Sequence, residues 1–262
     1  SEGRPMIELK NIRKVFSPGT PDENVLFDGF SLSVPDRQFV SVIGSNGSGK
    51  TTMLDLICGS LSPDGGQILI GGTDITGMSE HRRARHIGRV FQSPQKGTCG
   101  DLTILENMAL ADNKRGRYSL MPAIDRSRID RYRTLLADCR MGLEDRLNVA
   151  VGSLSGGQRQ ALALVIANMC DIDLLILDEH TAALDPRSSE TVMELTDRLV
   201  REKQVTTLMV THNLRFAVEY GDRLLMMHHG HAVLDLAGEQ KAAATVDMLL
   251  DRFNAISIEC GN

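Results

Sequence analysis

No stretch of this chain is apolar enough to cross a bilayer. The longest apolar run, Ala161 to Cys170, is broken by Asn168 and falls well short of the roughly 20 residues that a spanning helix requires. Basic residues are not in excess either. With 29 Lys and Arg against 34 Asp and Glu, a net charge of -5 and a pI near 5.8, the sequence lacks the footprint of a polyanion binder, so nucleic acid is not an expected partner. The five cysteines (Cys58, Cys99, Cys139, Cys170 and Cys260) are odd in number and scattered, with no Cys-x-x-Cys pair. They read as free thiols in a reducing compartment, not as a disulfide framework or a zinc module. No signal-peptide pattern opens the chain, no heptad array runs between Gln92 and Ser155, and no internal repeat or low-complexity tract is present. The first convincing strand starts at Ile7, so Ser1 to Pro5 read as a remnant before Met6.

What is present is enough for a sizeable core. The 262 residues are 42% hydrophobic, which excludes a disordered chain and allows one large domain or a core with a smaller lobe. The first third reads as short strands: Ile7 to Leu9 and Phe30 to Val34 alternate apolar with polar, Phe39 to Ile43 is a buried run, and Gln67 to Ile70 follows the turn at Pro63-Asp64-Gly65-Gly66. Helical spacing of Ile129, Tyr132, Leu136 and Cys139 predicts an amphipathic helix with Arg126, Arg128, Arg131 and Arg133 on a solvated basic face. The runs Leu174 to Leu177 and Thr206 to Val210, with a helix through Glu190 to Arg201 between them, predict a parallel sheet covered on both faces. Leu224 to Met227 and Ala232 to Leu236 read as a hairpin through Gly230, so His228, His229 and His231 are expected to be turn residues and not a metal cluster. The run His81 to His86 is expected to be a solvated helix face. Val246, Leu249, Leu250 and Phe253 form an apolar stripe suited to a packing helix.

Three motifs carry chemistry. Gly44-Ser45-Asn46-Gly47-Ser48-Gly49-Lys50-Thr51 follows a strand and opens a helix, the context in which glycines let successive N–H groups face a phosphate at the positive end of the helix. Lys50 is placed to neutralise β- and γ-phosphate oxygens, Thr51 to offer its hydroxyl to Mg²⁺, and Thr52 and Ser48 to donate to the α- and β-phosphates. The run Leu174 to Leu177 ends in Asp178 and Glu179, two carboxylates at the carboxyl edge of a parallel strand, where ligands of open α/β sheets bind. The third motif is Leu154-Ser155-Gly156-Gly157-Gln158. Ser155 is a natural N-cap for the helical run Arg159 to Ala167, and the two glycines allow a phosphate to approach that helix start. One nucleotide cannot readily occupy two separate cradles on one chain, so the second should serve another molecule's nucleotide.

With these motifs in this order, the chain resembles the ATP-binding subunit of an ABC transporter over nearly its whole length. The resemblance implies an α/β fold: a P-loop NTPase (RecA-like) core with a parallel sheet, an N-terminal antiparallel β subdomain and an inserted helical subdomain. It implies a single ABC ATPase domain over residues 1–262, with 6–91 and 165–236 as the core and its β subdomain. Residues 92–164 would be the helical subdomain with the signature motif, and 237–262 a short C-terminal helical segment. The cofactors implied are ATP and Mg²⁺. Glu179 corresponds to the catalytic carboxylate, His212 to the switch histidine at the γ-phosphate, and Gln92 to the glutamine that reaches Mg²⁺ and the attacking water. Asp178 and Thr51 would hold the metal with Gln92. Phe16 aligns with the aromatic that stacks on adenine. Ser155, Gly156, Gly157 and Gln158 would close over ATP held by a second copy, and Asp185, in Ala183-Leu184-Asp185, lies in the loop that links the two sites. His180 departs from the family, most members of which carry proline there.

The implied partners are a second ATP-binding subunit, transmembrane permease subunits docking near Gln92, Pro94, Thr98 and Leu102 to Asn107, and a substrate-binding protein if the system is an importer. The implied place is the cytoplasmic face of the cell membrane. The segments Gly88 to Gln92 and Asp178 to Pro186 look most like those linked to tryptophan-type or other amino-acid uptake. An exporter or lipoprotein-release subunit, or a soluble non-transport ABC ATPase, is the alternative.

Overall fold

The computed structural model describes residues 5–113 and 125–259, with the side chains of the last helix as far as Ile256. It opens with two long strands, β1 (Pro5–Phe16) and β2 (Asn24–Pro35), then β3 (Phe39–Gly44), helix α1 (Lys50–Cys58), β4 (Gly65–Ile70) and β5 (Thr73–Asp74). There follow α2 (Glu80–Arg83), β6 (Ile87–Val90), α3 (Ile104–Asp112), α4 (Ile129–Ala137) and α5 (Gly156–Ala167). The last part comprises β7 (Leu174–Asp178), α6 (Pro186–Lys203), β8 (Thr206–Val210), α7 (Leu214–Glu219), β9 (Arg223–His228), β10 (His231–Ala237), α8 (Gly238–Ala242) and α9 (Val246–Glu259).

Two compact units divide these elements. The first comprises the chain as far as Gly77 and again from Thr206 onwards. It holds an antiparallel sheet of order β2-β1-β4-β5 and, separately, the strands β10-β9-β3-β8. In the latter, β3 pairs in parallel with both β8 and β9, and β10 closes the edge antiparallel. Every residue of β3 and of β8 is buried, as expected of parallel strands covered on both faces. The predicted hairpin is present as β9 and β10, joined through His229 and Gly230. The C-terminal stripe also packs as expected: Leu249 and Ile256 of α9 join Ile43, Ala217, Leu224 and Met226 in one core cluster.

The second unit, Met78–Val205, contains the parallel pair β6–β7 and the helices α2 to α6. Helix α6 is longer than the expected Glu190 to Arg201. Asp185 accepts a hydrogen bond from the Ser188 N–H and Pro186 stands in the first turn, so the helix starts at its own cap.

Of the two basic stretches expected to be solvated faces, Arg126 to Arg133 keeps its arginines exposed, whereas the stretch His81 to His86 departs in part. Helix α2 spans only four residues, and Arg83 turns inward, 2% exposed, with Nε donating to the Met78 carbonyl. Along α4 and the turn before it, Arg128 and Arg131 reach Asp112 of α3 at 2.6 and 3.2 Å, and the Tyr132 hydroxyl donates to the same carboxylate at 2.9 Å. Side-chain charge was legible in the sequence, but the distant acid that gathers it was not.

Candidate functional site

In the first unit, the phosphate loop is built around Lys50. Its ammonium donates to the carbonyls of Gly44 at 2.8 Å and Ser45 at 2.9 Å, and its Nζ lies 3.4 Å from Ser48 Oγ. Lys50 and Ser48 are buried, whereas Ser45, Asn46 and Gly47 form an exposed lip. Helix α1 begins at Lys50, immediately after Gly49 at φ +101°. A Cβ on Gly49 would stand 2.8 Å from the Phe27 ring, and one on Gly44 would stand 2.3 Å from the Met227 carbonyl oxygen. The cradle therefore requires glycine at both positions. Thr51 is exposed on the first turn of α1 and Thr52 is half-buried behind it.

The same unit carries His212 and Phe16. Val42 of β3 is paired with Val210 of β8, so the exposed His212, two residues further on, stands level with Gly44 at the start of the loop. Thr211 continues the pairing through its N–H to the Val42 carbonyl, and Asn213 caps α7 through the Phe216 N–H. Phe16 ends β1 partly exposed, with Lys14 Nζ 5.6 Å from its ring centre. It is not a core side chain.

The turn between β9 and β10 also reaches the phosphate loop. The Gly230 N–H donates to the Ser48 carbonyl at 3.0 Å, and His228 Nδ1 lies 3.3 Å from Ser45 Oγ. Sequence reasoning treated these histidines as turn residues only. The signal it lacked is the pairing of Gly44 with Met227 in the strand register.

In the second unit, Asp178 ends β7 beside Arg89 of β6, with Arg89 Nη2 2.7 Å from Oδ2. The register of the pair sets Val90 opposite Leu177, so Gln92 and Glu179 both leave their strands at the same edge. The Gln160 side chain of α5 donates to the Phe91 carbonyl at 2.9 Å and holds the strand end before Gln92. Arg89 and Gln160 are supporting residues that no sequence motif marked.

Glu179 stands at φ +50°, in the left-handed region, and a tight turn follows, with the Ala182 N–H donating to the Glu179 carbonyl at 2.9 Å. His180 is 2% exposed, its Nε2 3.1 Å from Thr196 Oγ1. Burial pushes its pKa down to about 4, so the ring is neutral near neutral pH. Further along the loop, hydrogen bonds from the Ser188 side chain and N–H hold Asp185 below the usual carboxylate range.

The Ser-Gly-Gly-Gln motif opens α5 as expected. Ser155 Oγ accepts from the Gln158 N–H and Gln158 Oε1 accepts from the Ser155 N–H, both at 3.2 Å, forming a reciprocal capping box. Gln158 is further tied to Arg146 and to the Met141 carbonyl. A Cβ on Gly157 would meet Ser188 Cβ at 3.1 Å, and one on Gly156 would meet Leu184 at 3.2 Å. Beside this helix start lies a cavity of about 390 Å³ lined by Ser155, Gly157, Gln158, Arg187 and Ser188 among others. Arg187, a cation beside a helix N-terminus, is a further residue that the motif did not reveal.

These groups fit the nucleotide and metal that the sequence implied. The phosphate loop offers a glycine-lined helix start with an ammonium inside it. Thr51 in the first unit and, separately, Gln92 and Asp178 in the second each offer an oxygen donor, the ligand type that Mg²⁺ takes.

The family described as ABC transporter matches residues 27–182. The tyrosine transport ATP-binding protein of Clostridioides difficile is 44% identical over 248 residues, covering 95% of this chain and 98% of that protein. Among solved structures, an ATP-binding cassette of an ABC transporter in its ADP conformation superposes with a TM-score of 0.80. It is 25% identical and is matched over 98% of this chain and 99% of that one. A dimeric ATP-binding cassette in a post-hydrolysis state, bound to ADP and Pi, superposes with a TM-score of 0.74 at 29% identity over 88% of this chain and 98% of that one. The fold is thus that of a P-loop ATPase cassette with a parallel core, an antiparallel β part and an inserted helical part.

Proposed function

This chain belongs to the ABC transporter ATP-binding family, whose members hydrolyse ATP to power transport, and from that premise we propose that it works as a pair of copies enclosing two ATP molecules and driving amino-acid uptake. The observation that carries the pairing is the second prepared helix start. Ser155 caps α5 and Gly156 and Gly157 form its first turn, a second glycine-bearing helix start additional to the phosphate loop at α1. A single nucleotide needs one such cradle, and a dimeric relative bound to ADP and Pi supports assigning the other to a partner's ATP. The amino-acid cargo rests on the identity to the tyrosine transport protein, maintained over nearly all of its length.

Each side chain then has a task. The N–H groups of Gly44 to Lys50 and the Lys50 ammonium bind the phosphates, with Ser48 and Thr52 donating to them and Phe16 stacking on adenine. Thr51, Asp178 and Gln92 would hold Mg²⁺, which would supply charge neutralisation to the phosphates. Glu179 orients and polarises the attacking water, and His212 contacts the γ-phosphate. Ser155, Gly156, Gly157 and Gln158 close over the partner's ATP, and Asp185 connects the two sites. Residues 6–91 and 165–236 serve as the ATP-binding core, 92–164 as the helical subdomain and 237–262 as a short C-terminal segment.

No helix among the described residues is long and apolar enough to cross a membrane, so transport has to act through permease subunits at the cytoplasmic face. Their docking surface is Gln92 to Asn107. There the buried Asn107 accepts from the Cys99 N–H and donates to the carbonyls of Cys99 and Thr103, giving the loop a fixed shape. A substrate-binding protein completes the importer.

Glu179→Gln tests the reading. The variant should bind ATP and run as a dimer in light scattering with Mg²⁺ and ATP, without turnover. Normal turnover, or a monomer under those conditions, would overturn it.

A further inference from the structure

If Glu179 polarises the attacking water, as proposed above, something must aim its carboxylate. Glu179 has φ +50°, a conformation that side-chain-bearing residues hold only when their surroundings over-determine it. Strand β7 fixes the chain before it. After it comes His180, nearly fully buried, with Nε2 3.1 Å from Thr196 Oγ1 on α6. Thr196 is itself fully buried, and its hydroxyl proton is committed to the Val192 carbonyl at 2.7 Å. The hydroxyl oxygen must therefore accept from the ring, which assigns the imidazole proton to Nε2. The next residue is fastened to the same helix from the other direction: Ser189 Oγ donates to the Thr181 carbonyl at 3.1 Å.

A histidine serving only to fill space here would carry a desolvation cost that an aliphatic residue avoids. Paired with a single acceptor on an 18-residue helix, the same ring becomes a directional tether one residue from Glu179. We propose that His180 is a positioning residue for catalysis, its Nε2–H bond to Thr196 fixing the left-handed turn that aims the Glu179 carboxylate at the attacking water.

The test uses the full chain with Mg²⁺ and ATP. Thr196→Val removes the acceptor at constant shape, His180→Leu removes the donor, and His180→Gln restores an N–H donor of similar reach. Turnover is measured with KM and with the fraction of protein that binds a fluorescent ATP analogue. Both disrupting variants should lower kcat by about tenfold to a hundredfold, the scale expected of a misplaced catalytic group. KM and binding-competent fraction should remain within about twofold, and His180→Gln should recover most of the rate. A kcat within about twofold of the parent in Thr196→Val or His180→Leu, or a fall that only tracks lost binding-competent protein, overturns the proposal. So does an inactive His180→Gln that still binds ATP. Glu179→Gln is assayed alongside. If it turns over normally, the reading of Glu179 fails. If it is inactive while Thr196→Val is normal, only the tether fails.

Discussion

Gly230 stands where the β9–β10 turn meets the phosphate loop, and an added Cβ would lie 1.7 Å from the Leu26 carbonyl oxygen. Its φ of +74° is also unfavourable to any other residue. Both the clash and the strain act on the segment whose N–H supports Ser48. Gly230→Ala should therefore destabilise the protein by about 2–4 kcal/mol, read from urea denaturation, and weaken ATP binding. An equally stable variant with unchanged nucleotide affinity would show that the turn does not brace the loop. The glycines of the phosphate loop were legible in the sequence because their chemistry is local, one strand, one turn and one helix start. Gly230 was legible as a hairpin turn but not as a support of that loop, because the backbone that excludes its Cβ comes from the far end of the chain. His180 was visible as a departure from the family, but its partner Thr196 was hidden among the inward-facing positions of α6.

At the scale of elements, α3 and α4 are joined by one carboxylate. Burial alone would raise the Asp112 carboxyl, but hydrogen bonds from Arg128 and Tyr132, with the charges of Arg128 and Arg131, more than reverse this and leave it below its ordinary value. Folding therefore favours the charged form. The associated stability is present above the ordinary Asp pKa and is lost as pH falls through the depressed folded value. Acid titration should show the parent losing stability below about pH 4, while Asp112→Asn loses less over that range and is less stable by about 1–3 kcal/mol at pH 7, where two arginines lose their acceptor. Parallel acid profiles for the two proteins would remove Asp112 from the account. Element type was legible because periodicity reports which residues are buried, and α4, β7, β8 and the hairpin fall where it placed them. Periodicity is silent about side-chain partners, so Arg83 read as solvated when it turns inward to the Met78 carbonyl, and the acceptors of the exposed Arg131 were not foreseen.

For the whole molecule, the unit of function is a question of which copy supplies which part. The motif order showed the ATPase parts, and the proposed cradle rests on Gly156 and Gly157 in the first turn of α5, since the capping box already engages the N–H groups of Ser155 and Gln158. The cargo was not legible, because no residue of the proposed ATP machinery touches it. Subunit mixing tests the assignment in trans. In a dimer of one Lys50→Ala chain and one Ser155→Arg chain, both lesions fall in the same composite site if Ser155 serves the partner's ATP, and the other site is intact. In a dimer of one doubly changed chain and one unchanged chain, each site carries one lesion. Trans assembly thus predicts ATP turnover in the first mixture and little in the second. If Ser155 instead serves the ATP of its own chain, the ranking inverts, because the doubly changed chain then leaves its partner's site whole. Differentially tagged subunits, purified as heterodimers and assayed for ATP turnover, give that ranking directly. Arginine at position 155 puts a long cation where the serine caps α5 and opens the approach to Gly156 and Gly157, so it should block closure in the site it belongs to while leaving Lys50 of the same chain able to bind nucleotide.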